Sequence, residues 1–278
     1  MVLLCLSAQA DSYRFAFEKE DLKIRVCNLD GSNVREITRG LHPDLSPDGT
    51  RVAFVTVGKD TPAGPERKLA LAEVASGEVR LVPNVPAHNC IEPAWSPDGR
   101  LLAFYFNPGD GWDLAVIAPD GSGLRVLVEA ERDHFYHSIG WAPDGCSLYC
   151  HTFTKLVQVD LNGSVLKTWN LSQIIPDGQL SSASTLNPSP DGRHLLVDAV
   201  FQREGDEAGE VWLLNLTTEQ AHSVTRGGGA RWIDATSFLY VDSDGAAPAI
   251  FRRNLEDGQA TRVLPLAYGP GRVRLVHD

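Results

Sequence analysis

Short apolar runs of strand length recur along the chain, separated by breaks rich in Gly, Pro and Asp. RVAFVT at 51–56, LLAFYF at 101–106, SLYCHTF at 147–153 and HLLVDAV at 194–200 are four of them. YRFAF at 13–17 and SFLYVD at 237–242 fit the same pattern. One aligned position reads Phe17, Phe54, Phe104, Cys150, Val197 and Val241, which predicts a buried layer. A second set of alternating segments lies further along each unit: IRVCNLDG, LALAEVASG, LAVIAPDG, LVQVDLNG, VWLLNLTT and IFRRNLEDG. Each reads as a strand running into a tight turn, usually with Gly where positive φ is needed. A short partner strand follows each one, such as VREIT, LRVLV or TRVLP.

The turns carry the register. Ser-Pro-Asp-Gly stands at 46–49, 96–99 and 189–192, and Ala-Pro-Asp-Gly at 142–145. In such a turn Pro presets φ, Asp bonds back to the backbone, and Gly takes the left-handed conformation. Successive copies are 50, 46 and 47 residues apart. Gly31 and Gly258, which close the first and last of the second-motif segments, are 227 residues and five repeats apart. A period near 45 with four strands per unit predicts a β-propeller, and six such units fill the 278 residues. The expected fold is all-β: six four-stranded antiparallel blades over 1–278, with 1–11 either a leader remnant or a first strand.

Trp95-Ser-Pro-Asp-Gly followed by LLAF, and Cys27-Asn-Leu-Asp-Gly-Ser-Asn-Val-Arg-Glu-Ile-Thr, resemble the TolB-type propeller repeat, a relative of WD repeats. The resemblance spans about residues 12–278. It implies a six-bladed propeller, the number that the repeat count reaches separately. TolB itself carries a further domain before its propeller, for which these 278 residues have no room. The repeat is specific for fold and weak for function.

The N-terminal unit has a second, third and fourth strand but no innermost one. GRVRLVHD at 271–278 is a spare strand, predicted to join that unit and close the ring, leaving no open edge between the first and last blades. The turns after strands one and three share one face and are short and uniform. The connections after strands two and four share the other face and are long and varied: 57–68, 107–112, 129–137, 170–184 and 201–210. Variable loops on a rigid scaffold usually carry function, so the binding surface is expected on the long-loop face.

Composition narrows the function. The formal net charge is −11, from 25 Lys and Arg against 36 Asp and Glu. That argues against general nucleic-acid binding and against an anionic membrane surface. No apolar run approaches the ~20 residues that span a bilayer. Twenty-five Gly and 17 Pro agree with many turns. Cys5, Cys27, Cys90, Cys146 and Cys150 make an odd count with no regular spacing, which reads as free thiols in strands rather than a disulfide framework. Met1–Ala10 ends in Ala-Gln-Ala but has a short apolar stretch and no basic start. A truncated leader would mean the periplasm and a plain first strand the cytoplasm, and both readings stand.

Candidate chemistry gathers at one place. His42, His88, Glu92, His134 and His137 all enter innermost strands from the long-loop face and are expected to converge on the channel mouth. Such a ring suits a polar ligand or a divalent cation. The oligogalacturonate lyases, relatives of this repeat, use a histidine-bound metal in such a place. The likeness is loose and implies only an alternative: a metal-dependent carbohydrate-active enzyme. No G-x-S-x-G elbow occurs. Propeller-bearing peptidases add a catalytic domain, and this chain leaves no room for one. Glu204, Asp206, Glu207 and Glu210 cluster in one long loop, expected to be solvated and able to meet a basic partner. The first expectation is therefore a monomeric, non-enzymatic scaffold that binds a protein or peptide and requires no cofactor.

Overall fold

Each Pro-Asp-Gly turn folds back on the strand before it. Ser46, Ser96 and Ser189 donate their hydroxyls to Asp48, Asp98 and Asp191 at 2.6, 2.7 and 2.6 Å. The same carboxylates accept the N–H of Thr50, Arg100 and Arg193 at 3.0 Å. Gly49, Gly99, Gly145 and Gly192 close these turns at φ between 67° and 71°, a region that a Cβ disfavours. Four near-identical turns therefore launch four near-identical hairpins.

The computed structural model describes residues 15–18, 21–61, 64–87, 89–109, 111–129, 136–182, 184–203, 206–242, 248–265 and 274–275. They form six four-stranded antiparallel sheets arranged as the blades of a propeller. Blade two runs Leu41–Leu45, Arg51–Val55, Leu69–Glu73, Val79–Leu81 from the axis outward, and blade three Cys90–Trp95, Leu102–Phe106, Asp113–Ile117, Arg125–Val128. Blade four is His137–Trp141, Ser147–His151, Lys155–Asp160, Val165–Asn170. Blade five is Leu186–Pro188, His194–Arg203, Asp206–Asn215, Ala221–Arg226. Blade six is Gly228–Trp232, Ser237–Asp242, Ala249–Asn254, Ala260–Pro265. Blade one takes its innermost strand, Arg274–Leu275, from the C-terminal end and then continues with Phe15–Glu18, Lys23–Cys27 and Arg35–Arg39. Phe15 pairs with Leu275 and Ala16 with Arg274, so the ring closes as the spare strand predicts.

Blades pack face to face. Phe17, Phe54, Phe104, Cys150 and Val197 are at most 1% exposed, and Val241 is 7% exposed. Leu69 and Leu71 of blade two pack with Trp95, Leu102 and Phe104 of blade three in one cluster. Burying each such side chain stabilises by roughly 1.5–3 kcal/mol.

Three sequence readings change. Residues 201–203 and 206–210 are not loop: His194–Arg203 and Asp206–Asn215 are ten-residue strands that pair as far as Arg203 opposite Asp206. Cross-strand pairing continuing the blade outweighs the acidic, Gly-bearing composition there. The connection 170–184 contains a short helix, Leu171–Ile174, capped by the Asn170 side chain, which accepts the Ser172 N–H at 3.2 Å. Among the cysteines, Cys27, Cys90 and Cys150 are buried free thiols that burial pushes up to about 12, whereas Cys146 is exposed beside its turn. Met1–Ala10 lies outside the described residues.

Candidate functional site at the long-loop mouth

The innermost strands of four blades share a kink. Their pairing slips between Leu41 and Asp44, Ile91 and Ala94, His137 and Gly140, and Gly228 and Arg231. Inside each slip one residue is left-handed: His42 at φ 54°, Glu92 at 54°, Ser138 at 57° and Gly229 at 67°. Such bulges re-aim side chains next to binding sites. Three of the four carry a Cβ and bear the strain of positive φ, which surrounding contacts must offset.

The offset comes from neighbouring blades. Glu18, at the end of a blade-one strand, accepts the His42 N–H at 2.7 Å. His42 Nδ1 in turn accepts the Glu92 N–H at 3.1 Å, so that nitrogen carries no proton. Tyr105 donates its phenol to the Ser138 carbonyl at 2.9 Å, and burial pushes that phenol well above its ordinary pKa. Ser138 Oγ accepts the Leu186 N–H at 3.0 Å. The buried Asp198 carboxylate accepts the N–H of Gly229 at 2.8 Å and bonds to the backbone and hydroxyl of Thr185. Burial raises the Asp198 pKa, while Thr185, Arg231 and the Gly229 and Ala230 amides pull it down. Each kinked residue is thus clasped to an adjoining blade.

Within this frame lies a cavity of about 210 Å³. His42, Glu92 and His137 line it together with Arg67, Trp112 and Tyr136. Glu92 is only 4% exposed. His137 packs at a tilt against His151 and Phe153, with ring centroids 5.7 and 5.0 Å away. His151 is fully buried, and burial lowers its pKa to about 4 although the Thr152 and Ser184 carbonyls oppose the shift. Among the described residues no three His, Cys, Asp or Glu side chains gather as a metal cluster.

Comparison with known proteins bears on this geometry. No family model matches the chain. It is 32% identical over 130 residues to a protein TolB homologue of Chlorobium luteolum, a match covering 45% of this chain and 28% of that protein. It is 27% identical over 125 residues to the uncharacterized peptidase YuxL of Bacillus subtilis, covering 43% of this chain and 18% of the relative. The matches thus span less than a third of the length of these curated relatives. Among solved structures, TolB from Acinetobacter baumannii superposes with a TM-score of 0.70 at 14% identity, over 95% of this chain and 66% of that one. The propeller is TolB-like in its fold. The same fold recurs in an oligogalacturonate lyase from Vibrio parahaemolyticus, with a TM-score of 0.60 at 14% identity over 90% of this chain and 76% of that one. It recurs again in a chain of a nidogen/laminin complex, with a TM-score of 0.66 at 14% identity over 95% of this chain and 96% of that one. At such identities the likeness is one of fold.

In this TolB-like propeller fold three of the five expected mouth residues, His42, Glu92 and His137, meet at one cavity. His88 and His134 lie outside the described residues, as does Glu204. Asp206 and Glu207 belong to the extended blade-five hairpin, opposite Arg203 and Gln202. Glu210 pairs with Ala199 and Arg226 in the sheet and is 7% exposed, so it is not a solvated loop acid. Arg67 and Trp112 escape the sequence reading, although both sit in connections that it marked as long and variable. They follow second strands, whereas His42 and His137 lie at the start of first strands.

Proposed function

We propose that this TolB-type propeller is a protein- or peptide-binding scaffold whose partner enters the long-loop mouth. The observation that carries the reading is the commitment of polar groups to the frame. His42 Nδ1, Glu18 and Ser138 Oγ hold blades together rather than gathering around an ion. The cavity wall keeps Arg67, Trp112 and Tyr136, and Trp, Tyr and Arg are the residue types that dominate binding energy at protein interfaces. A pocket preorganised in this way spares a partner the cost of ordering it. A chain of the same fold takes part in the nidogen/laminin complex, which supports the class of function but not the partner.

The test is selection of peptides from a displayed library on the immobilised protein, with counter-selection on a Trp112→Ala, Arg67→Ala variant. Enrichment of sequences that bind the parent protein and lose at least tenfold on the variant is expected. The opposite result would be manganese-dependent formation of unsaturated product from oligogalacturonate, abolished by His42→Ala or His137→Ala. That would replace the scaffold reading with a lyase.

A further inference from the structure

Four connections meet at the long-loop mouth. Two follow the second strands of blades two and three, and two link blade three to four and blade four to five. They bring Arg67, Trp112, Tyr136 and Ser182 to the wall of the cavity of about 210 Å³. Other contacts hold these residues in place. The connection carrying Arg67 is braced as a short ladder: the Gly58 N–H donates to the Glu66 carbonyl and the Glu66 N–H to the Lys59 carbonyl, both at 2.9 Å. The Arg67 carbonyl accepts the Cys90 N–H at 2.8 Å, which ties the residue to the entry of blade three. Trp112 and Tyr136 pack in one apolar cluster with Ile91. Ser182 lies in a turn closed by the Ser184 N–H on the Ser181 carbonyl at 3.0 Å.

The polar groups of this wall are spent unequally. Among the described residues, no protein acceptor meets the Arg67 guanidinium, the Trp112 indole N–H or the Ser182 hydroxyl. Arg67 and Trp112 are nonetheless half-buried. The acceptors of the same wall are already committed. His42 Nδ1 takes the Glu92 N–H, so that ring is neutral. Glu92 is the one carboxylate among the described wall residues, and it is 4% exposed. Its charge acts on the buried Tyr105 phenol and on the His151 ring. An entering group therefore meets donors and one permanent cation. Partial burial strengthens a charge pairing at that cation relative to open water. Phe153, 52% exposed, adds an aromatic face beside His137.

We propose that the group held at this mouth is the carboxylate of an aspartate or glutamate side chain in a peptide segment of the partner, taken by Arg67 and Trp112, with its flanking residues on Tyr136 and Phe153. The inference rests on the scaffold reading above and names the chemistry of its partner. A guanidinium presents paired donors that match a carboxylate, and such charge-assisted bonds are about twice as strong as neutral ones. The donors here are mostly side chains, whereas free chain ends are captured by backbone nests. The net charge of −11 does not oppose an acidic ligand, because exposed charges beyond about 8 Å are largely screened at physiological ionic strength. The wall decides, and its one permanent cation is Arg67.

The probes are three peptides, acetyl-Ala-Phe-Glu-Phe-Ala-amide and its Gln and Lys versions. The readout is the indole N–H resonance of Trp112 in the ¹⁵N-labelled full chain, assigned through Trp112→Phe. The Glu peptide is expected to shift it saturably, at least fivefold more tightly than the Gln peptide and more weakly as salt is added. Arg67→Gln is expected to weaken the Glu peptide at least tenfold and to bring the Glu and Gln peptides within twofold of each other. The remaining indole resonances report whether that variant folds, and if it does not, the three peptides on the parent chain decide alone. Equal binding of the Glu and Gln peptides would overturn the carboxylate inference and leave the scaffold reading standing. A preference for Lys, or no saturable shift with any of the three, would overturn it too. So would tighter binding of the Gln peptide with a free C-terminus, which would make the group a chain end. Digalacturonate binding tenfold more tightly than the Glu peptide would overturn both readings.

Discussion

His42 Nδ1 accepts the backbone N–H of Glu92 at 3.1 Å, and both residues are left-handed at φ 54°. The two occupy one position in consecutive blades, so the side chain of one strained residue holds the backbone of the next. Histidine is therefore a bracket here before it is a ligand. Replacing His42 with Ala leaves the Glu92 N–H without its acceptor and should cost about 1–3 kcal/mol. His42→Asn keeps a polar side chain and tolerates positive φ, and should cost less. Urea unfolding of both variants checks the order.

Asp198 ties blade five to the kink of blade six. It is buried and serves Thr185, Gly229 and Ala230 while feeling the charge of Arg231. Asp198→Ala strands these donors. A loss of at least about 1–3 kcal/mol is expected, the cost of leaving a buried donor unsatisfied. Asp198→Asn should lose less. Denaturant midpoints measured with unchanged m-values separate this from a loss of compactness.

Stability should fall in mild acid because of His151. Burial lowers its folded pKa to about 4, against 6.5 for the free side chain. As pH falls from above 6.5 toward 4, the unfolded chain takes up a proton that the native ring refuses, and the native state loses ground. The turn aspartates act lower. Ser189 and the Arg193 N–H hold Asp191 below its ordinary pKa, and in Asp48 the bonds from Ser46 and Thr50 outweigh burial. Their contribution is present above the ordinary carboxylate range and is lost as pH drops through their depressed values. Melting temperatures taken between pH 7 and pH 4 should slope downward, and His151→Asn should flatten that slope.

Among the described residues, ring closure rests on Arg274–Leu275 paired with Ala16 and Phe15. A chain ended before Arg274 would leave the Phe15–Glu18 edge unpaired and the first and last blades unlinked. Such edges recruit other chains. A lower melting temperature together with concentration-dependent association by light scattering is expected. Unchanged melting would show that blade packing alone closes the ring.

The repeat was legible because its turns need particular residues. Left-handed Gly, φ-setting Pro and a backbone-bonding Asp are local requirements, and local requirements leave marks at regular spacing. The buried column Phe17, Phe54, Phe104, Cys150, Val197 and Val241 followed from the same register, as did the return of the C-terminal strand. His42, Glu92 and His137 were legible as a group because they share a place in that register. What the residues beside them do was not legible. His, Glu and Ser at positive φ carry no sequence signal, since the clasps that offset their strain come from adjoining blades. Arg67 and Trp112 lie in connections of unequal length, where no register exists to align them. The acidic stretch 201–210 reads as a loop by composition, and only cross-strand pairing makes 201–203 and 206–210 strand. Sequence alone decided the blade, its turns and the number of blades, because those depend on neighbours along the chain. Tertiary structure decided which polar groups are spent on holding blades together and which remain to face a ligand, because that division depends on neighbours across the ring.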